Sequence, residues 1–141
     1  MKALSIRQPW ASMIILGYKP VENRTYKRSY RGPLAIHSSQ TWDKDGAAWI
    51  LDRFPHLKDQ VEAARDLRGG IIGTVTMTDC VMNHPSPWFA GPYGFVFTRP
   101  TPIDFHPCAG KLNFFDVDFE LPVGRVETQM GLFGLPIAEK E

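Results

Sequence analysis

The sequence predicts an α+β fold, with a small mixed or antiparallel β-barrel that carries helices on its outside. Short apolar and β-branched segments recur along the chain without regular crossover helices between them, which disfavours a doubly wound sheet. The twelve glycines and twelve prolines are spread along the chain as turn residues rather than gathered in one linker. A length of 141 residues with 43% hydrophobic content suits a single domain over residues 1–141.

The first elements are bounded by proline and glycine. Residues 2–6 roughly alternate polar and apolar side chains and predict a short strand. Pro9 opens a helix, because a missing N–H costs nothing in the first helical turn. Gly17 ends this helix as a C-terminal cap. Residues 21–26 and 33–38 are then expected to be extended.

Two helices and three strands are predicted for the rest of the chain. Apolar residues at helical spacing indicate helices on either side of Pro55, and β-branched residues indicate a strand before the next loop. The C-terminal stretch from Leu121 has no clear pattern. The expected elements are helices at 43–54 and 56–67, strands at 71–81, 93–97 and 113–119, and a loop at 83–91.

Charge and composition exclude several classes of protein. A net charge of +1 excludes nucleic-acid binding through bulk positive charge alone. The charge is uneven, however: residues 1–31 carry +6 and residues 32–141 carry −5. This split predicts either one edge that meets an anion or a fold that mixes the two segments. No apolar run is long enough to span a bilayer, no signal-peptide pattern is present, and the two cysteines form no CxxC pair. We therefore expect a soluble, cytoplasmic protein without a membrane partner, and the sequence leaves its oligomeric state open.

One segment carries a recognisable motif. Residues 17–24 read GYKPVENR, which has the pattern GxKxxExR. The motif follows LSIRQPWA at residues 4–11 and precedes RGPLAIH at residues 31–37. With GIIG, GPYG and GKL further along the chain, these residues resemble the ASCH domain, a branch of the PUA-like superfamily.

This resemblance implies a small PUA-like β-barrel with flanking helices and a cleft lined by the motif. The family is associated with RNA and with modified nucleosides. Some small members are similar to amidohydrolases of N4-acylated cytidine, and others have been linked to RNA cleavage. The resemblance therefore implies RNA or a modified nucleoside as the partner of this chain.

The chemistry of the motif can also be weighed from its residues. If residues 21–26 are extended, Glu22 and Arg24 share one face of the strand, and Lys19 joins them only if the turn before the strand redirects it. Two cations and a carboxylate would then hold a phosphate and accept hydrogen bonds from an exocyclic amine. The alternative is a structural ion pair between Glu22 and Arg24, with Lys19 facing solvent.

Further candidates surround the motif, and each has a structural alternative. Trp10 and Gln8 suit base stacking and edge recognition, but Trp10 also suits a core anchor. His37 suits an acid–base role or a buried, hydrogen-bonded imidazole. The aromatic loop suits a stacking wall or a plug over the barrel end. The predicted ligand-binding set is Lys19, Glu22, Arg24, Gln8, Trp10, His37, Ser38, Trp88 and Tyr93. We predict no cofactor and no bound metal, because the histidines lack metal-ligand spacing.

A basic loop follows the motif. Lys27, Arg28 and Arg31 alternate with Tyr26 and Tyr30, as in a track for a single-stranded phosphate backbone, although such a cluster also occurs on ordinary surfaces.

Three functions compete on this evidence. The first is recognition of RNA or a modified nucleoside, and the second is hydrolysis of an N4-acylcytidine with Lys19 and Glu22 as the catalytic pair. The related amidohydrolases have Thr where this chain has Glu22, so the second function would require Glu22 to act as a general base on water. The third is ribonuclease action by His37, Lys19 and Tyr93.

Overall fold

The order of elements in the structure follows the predicted one. A computed structural model describes residues 1–118, so residue 119 of the last predicted strand and the stretch from Leu121 lie outside the described residues. The elements are β1 (Lys2–Gln8), α1 (Trp10–Ile15), β2 (Val21–Arg24), β3 (Gly32–Trp42), α2 (Lys44–Arg53), α3 (Lys58–Ala63), β4 (Gly70–Val81), β5 (Tyr93–Pro107) and β6 (Phe114–Asp116).

The strands form one mixed sheet of six in the order β2-β5-β4-β3-β1-β6. β1 and β3 are parallel, with Leu4 opposite Ile36, and the other pairs are antiparallel. The predicted α+β class and mixed sheet are confirmed. The predicted closure into a barrel is not, because β2 and β6 remain unpaired edges within residues 1–118.

The predicted helix at residues 56–67 is a chain of three short segments. A 3-10 turn at Pro55–Leu57 leads into α3, and a second turn follows at Ala64–Asp66. The apolar spacing was right, since Leu57, Val61 and Ala64 are all buried. The hydrogen-bond pattern between them alternates between two helix types, which apolar spacing cannot reveal.

β5 is much longer than the predicted strand at 93–97. It continues to Pro107 through Arg99, which has a φ of 55°, and through two prolines, Pro100 and Pro102. β5 pairs with β2 only over residues 93–96, and within residues 1–118 no strand pairs with the prolines on that side. Proline is tolerated there because no ladder hydrogen bond is lost.

Two buried clusters position the cleft described below. One fills the sheet face beneath α1 and includes Leu4, Ile14 and Phe95. The other joins α1 and β2 to the outer helices and the loop after β4, and it includes Met13, Val21, Ala47, Ile50, Leu57, Val61 and Trp88. The second cluster fixes these elements around a cleft, because each contributes at least one buried side chain to it.

Candidate functional site

The GxKxxExR motif lines a cleft of about 720 Å³. Its walls come from the end of β1, the start of α1, β2, the start of α2 and the loop before β5. The lining residues are Ser5, Ile6, Arg7, Trp10, Lys19, Glu22, Asn23, Arg24, Thr25, Tyr26, Asp43, Asp45, Gly46, Trp49, Pro87, Trp88, Phe89 and Ala90. The cleft therefore combines charged groups of both signs with aromatic rings.

Lys19, Glu22 and Arg24 converge in this cleft. Lys19 Nζ donates to Glu22 Oε1 at 3.0 Å, and Arg24 Nε lies 3.2 Å from Glu22 Oε2. The lysine side chain is only 3% exposed, and Nζ also donates to the carbonyl of Val21 at 2.6 Å. The alternative with a solvent-facing Lys19 is therefore wrong. The ion pair between Glu22 and Arg24 does exist, and it forms part of the cleft wall.

The turn after α1 brings Lys19 to the other two charges. Gly17 adopts a φ of 91°, which a residue with a side chain rarely tolerates. The backbone amides of Tyr18 and Lys19 then both donate to Met13 O at 3.0 Å, so the chain folds back over the helix end. This is the redirection that the sequence required for the three charged groups to meet.

Arg24 connects β2 with the opposite side of the cleft. One terminal nitrogen donates to Ser5 O at 3.1 Å, and the other lies 3.4 Å from the Tyr26 hydroxyl. Its buried Nε makes only the ion-pair contact with Glu22 and no hydrogen bond within residues 1–118. The guanidinium thus spans the cleft from the edge strand to β1.

Aromatic rings form the second wall. The Trp10 ring lies 5.9 Å from that of Trp49 and 6.3 Å from that of Trp88, and Lys19 Nζ lies 5.5 Å from the Trp10 ring centre. Trp88 is buried and stacks on Phe54 at 4.7 Å with an angle of 6°. Trp10 and Trp49 are partly exposed and line the cleft. Trp10 thus packs against the buried Trp88 while its ring stays partly exposed, and base stacking on this ring stays a prediction.

Asn23 fastens the aromatic loop to β2. Its Nδ2 donates to Trp88 O at 3.0 Å, and its Oδ1 accepts from the amides of Ala90 at 2.9 Å and Gly91 at 3.1 Å. The Asn23 side chain thereby satisfies three backbone hydrogen-bonding groups of the loop before β5. The sequence did not identify Asn23, which occupies one of the variable positions of GxKxxExR.

Replacing Asn23 with Ala is expected to lower the free energy of unfolding by about 2 kcal/mol, since three hydrogen bonds are lost and their backbone partners are left unpaired. Denaturant unfolding measures this change. Asn83→Ala is the matched control, because Asn83 is exposed on the same loop, and a change within about 0.5 kcal/mol is expected there. Equal effects of the two substitutions would contradict a fastening role for Asn23.

Asp43 links the start of α2 to the cleft. The Trp10 indole donates to Oδ2 at 2.7 Å, the Gly46 amide donates to Oδ1 at 2.9 Å, and Arg7 lies 3.4 Å away. Burial raises the pKa of the Asp43 carboxyl, but these hydrogen bonds and the Arg7 charge outweigh burial and leave the pKa below its ordinary value. Asp43 therefore caps α2 and orients the Trp10 ring as a carboxylate.

Asp43→Asn is expected to destabilise the fold by about 1–2 kcal/mol at neutral pH, because an asparagine keeps the helix cap but loses the charged acceptor. The pKa of Asp43 is lower in the folded than in the unfolded protein. Its carboxylate therefore contributes fully to the free energy of unfolding above a pH of about 4, and this contribution is lost as the pH falls through the folded pKa. Unfolding of both proteins between pH 7 and pH 2 should show curves that converge in acid. A difference independent of pH would contradict this assignment.

Four predicted ligand residues do not line the cleft. Gln8 is fully buried and bonds to Ser12 and to Leu67 O. Ser38 is also fully buried and bonds to Leu67 O. Tyr93 lies in β5 opposite Arg24 and outside the cleft lining. None of these three side chains lines the cleft, although Tyr93 is the cross-strand neighbour of the motif residue Arg24.

His37 is the fourth, and it lies one hydrogen bond behind the cleft. The side chain is 2% exposed, with Nδ1 3.0 Å from Ser5 Oγ and Nε2 2.7 Å from Cys108 O. Ser5 lines the cleft, whereas His37 does not. The structure therefore matches the buried, hydrogen-bonded imidazole, and His37, Lys19 and Tyr93 do not form one cluster.

The basic loop adjoins the cleft at Tyr26. The Arg28 guanidinium lies over the Tyr26 ring at 4.0 Å, and Tyr26 itself lines the cleft. Arg31 donates to Arg28 O and Tyr30 O and lies 3.8 Å from Asp79. Lys27 is exposed. Of the three predicted backbone-binding cations, Arg28 thus contacts the cleft wall directly, and Arg31 is linked to Arg28 through a hydrogen bond to its backbone carbonyl.

Sequence reasoning missed Asp43 and Trp49 as members of the cleft. Asp43 is the first residue of the helix predicted at 43–54, and an aspartate at a helix start is ordinarily assigned to capping alone. Trp49 lies within that predicted helix, where the sequence carries no signal that its ring reaches the cleft. No group of three or more metal-ligating side chains occurs in the described part of the chain. No helix within residues 1–118 is long and apolar enough to cross a membrane.

Within residues 1–118, a six-stranded mixed sheet with outer helices and a charged, aromatic cleft defines a small α+β protein. The family model for the ASCH domain matches residues 4–90, and the chain belongs to this family.

Similar solved structures include ASCH from Zymomonas mobilis. It is 13% identical with a TM-score of 0.47, and the match covers 75% of this chain and 72% of that chain. Two mutant forms of the same protein give TM-scores of 0.46 and 0.48, also at 13% identity and 75% coverage of this chain, with 74% and 72% of those chains covered. A search of curated proteins finds no match.

Proposed function

We propose that the cleft binds a single nucleoside, either free and modified or as one unit of an RNA strand. The observation that carries this proposal is the convergence of Lys19, Glu22 and Arg24 beside partly exposed tryptophan rings. The cleft volume of about 720 Å³ is in the range of small-molecule sites.

Each wall has a chemical counterpart in a nucleoside. The Trp10 and Trp49 rings offer apolar faces on which a base can stack. The Glu22 carboxylate accepts hydrogen bonds, as an exocyclic amine on a base requires. The neighbouring Lys19 and Arg24 keep this carboxylate in a fixed position, so little ordering is needed on binding.

The basic loop supports an RNA strand as the larger ligand. Arg28 lies over Tyr26 of the cleft wall, so Lys27, Arg28 and Arg31 would contact the phosphates of a strand that leaves the cleft on this side. A base in the cleft and phosphates on the loop would be bound together, which allows selectivity despite a net charge of only +1.

Hydrolysis through a hydroxyl nucleophile activated by Lys19 is less well supported. Lys19 Nζ is occupied by Val21 O and Glu22 Oε1, and it contacts no hydroxyl group within residues 1–118. Thr25 lines the cleft but does not bond to Lys19. No hydroxyl group among the described residues therefore contacts Lys19 in the way that an activated nucleophile requires.

Tryptophan fluorescence provides a direct binding test, because Trp10, Trp49 and Trp88 line the cleft. Cytidine, N4-acetylcytidine, uridine and adenosine are titrated into the protein. We expect at least one to bind, and we expect Glu22→Gln to raise its Kd at least about tenfold through loss of a charged acceptor. Glu62→Gln is the matched control, since Glu62 is exposed and outside the cleft.

Two further measurements separate the alternatives. Chromatography of N4-acetylcytidine after incubation detects deacetylation, which the binding proposal expects to be absent. A labelled single-stranded RNA should bind more weakly with rising salt and after Lys27→Ala or Arg28→Ala, but not after Lys58→Ala on the outer helix. No affinity for any nucleoside or RNA would overturn the proposal.

A further inference from the structure

A second depression lies away from the motif cleft. It is a groove of about 410 Å³ between the end of α1, α3 with the turn that follows it, and the later part of β5. Its lining is largely apolar and includes Ile15, Leu16, Ala63, Leu67, Ile103 and Phe105. None of these residues lines the motif cleft, so the groove is a separate surface.

The groove concentrates exposed apolar side chains. Leu16, Leu67 and Phe105 are 47%, 36% and 37% exposed, and they are three of the six large hydrophobic residues exposed within residues 1–118. Scattered exposed leucines are ordinary on a protein surface, but three around one groove indicate a surface that another apolar group covers.

Gln60 adds a polar requirement to this groove. It lines the groove, and its Oε1 is buried without a hydrogen-bond partner among the described residues. A buried acceptor that has lost water and gained no donor is costly. A suitable occupant therefore combines apolar side chains with at least one N–H group, as a peptide segment does.

We propose that residues 130–138 of this chain, which read MGLFGLPIA, bind in this groove. They lie outside the described residues and contain no charged or polar side chain. Leu132, Phe133 and Leu135 match the apolar lining, and the segment's backbone amides supply donors for Gln60 Oε1. A separate molecule with the same apolar side chains would lack the high effective concentration that the covalent link gives to residues 130–138.

The described chain ends at a buried cluster that also contacts one residue of the groove. Val117 and Ile103 pack against the same buried cluster of Ala3, Ala35, Ile71 and Phe115, and Ile103 also lines the groove. The twelve residue steps from 118 to 130 can extend about 40 Å. A folded unit of this size is about 35 Å across, so the segment can reach the groove.

Hydrogen–deuterium exchange of the complete 141-residue chain tests this proposal. In the wild type, amides in residues 130–138 should exchange at least tenfold more slowly than in the free peptide. Phe133→Ser in the segment and Ala63→Glu in the groove should both remove this protection. Ala63 is exposed, so the introduced charge enters the groove without disturbing the buried core.

Ala90→Glu is the matched control, because Ala90 is exposed and lines the motif cleft instead. Residues 130–138 should stay protected in this variant and after tenfold dilution of the wild type. Amides of β4 report in every variant that the sheet remains folded. Three results would each overturn the proposal. In the wild type, residues 130–138 would exchange at the free-peptide rate, or they would lose their protection on dilution. In Ala90→Glu, they would lose their protection although the groove is unchanged.

Discussion

Replacing Glu22 with Ala is expected to lower the free energy of unfolding by about 3–5 kcal/mol. The substitution leaves Lys19, which is 3% exposed, as a buried cation whose one remaining hydrogen-bond partner among residues 1–118 is Val21 O. It also removes the carboxylate that faces the Arg24 Nε. Removing one member of a buried ion pair is costly because the remaining charge has lost both its hydration and its partner.

Glu62→Ala provides a matched comparison for this prediction. Glu62 and Arg65 have the same i,i+3 spacing and the same 3.0 Å separation as Lys19 and Glu22. Their side chains are about half exposed, so a change below about 1 kcal/mol is expected. Denaturant unfolding compares the two variants directly. Equal losses would show that burial of the motif pair has no energetic consequence.

A double-mutant cycle separates the pair from its surroundings. The combined variant Lys19→Met, Glu22→Gln removes both charges. Its loss in free energy of unfolding should be smaller than the sum of the losses in Lys19→Met alone and in Glu22→Gln alone. The coupling energy then measures the interaction between the two side chains. Additive losses would mean that each residue acts on the fold independently of the other.

The predictable parts of the fold depend on local chemistry. Pro9 and Gly17 bounded the first helix correctly, and the residue before the second helix, Asp43, is its N-cap. The extension of β5 beyond residue 97 could not be predicted, because the prolines there are tolerated only where no strand pairs on that side. Strand neighbours are long-range information that a single sequence does not contain.

In the candidate site too, local sequence predicts some features, and others depend on long-range contacts. Glu22 and Arg24 share a strand face, as period-two geometry requires, but the approach of Lys19 depends on the turn after α1. Gln8 was predicted to read a base edge, and His37 to act as an acid or base or to be a buried imidazole. The structure buries Gln8, His37 and Ser38, and Gln8 and Ser38 both donate to Leu67 O. Leu67 is distant from all three in sequence, so only the tertiary structure reveals this burial.

Trp88→Ala should be about as destabilising as the loss of Glu22, at about 3–5 kcal/mol, but for a different reason. The Trp88 ring is 6% exposed, stacks on Phe54 and contacts Trp10 and Trp49. Truncation leaves a cavity between the outer helices and the aromatic wall, and the loop that Asn23 fastens cannot collapse far enough to fill it.

Two substitutions test this explanation of the Trp88 effect. Trp88→Phe retains an aromatic ring against Phe54, so it should recover much of the stability lost in Trp88→Ala. Trp42→Ala removes a partly exposed tryptophan outside the cleft lining, so it should leave nucleoside affinity unchanged. Trp88→Ala should weaken nucleoside binding as well as the fold, because the ring that fixes Trp10 and Trp49 is lost. A Trp88→Ala protein with wild-type stability and affinity would show that this ring supports neither the core nor the cleft.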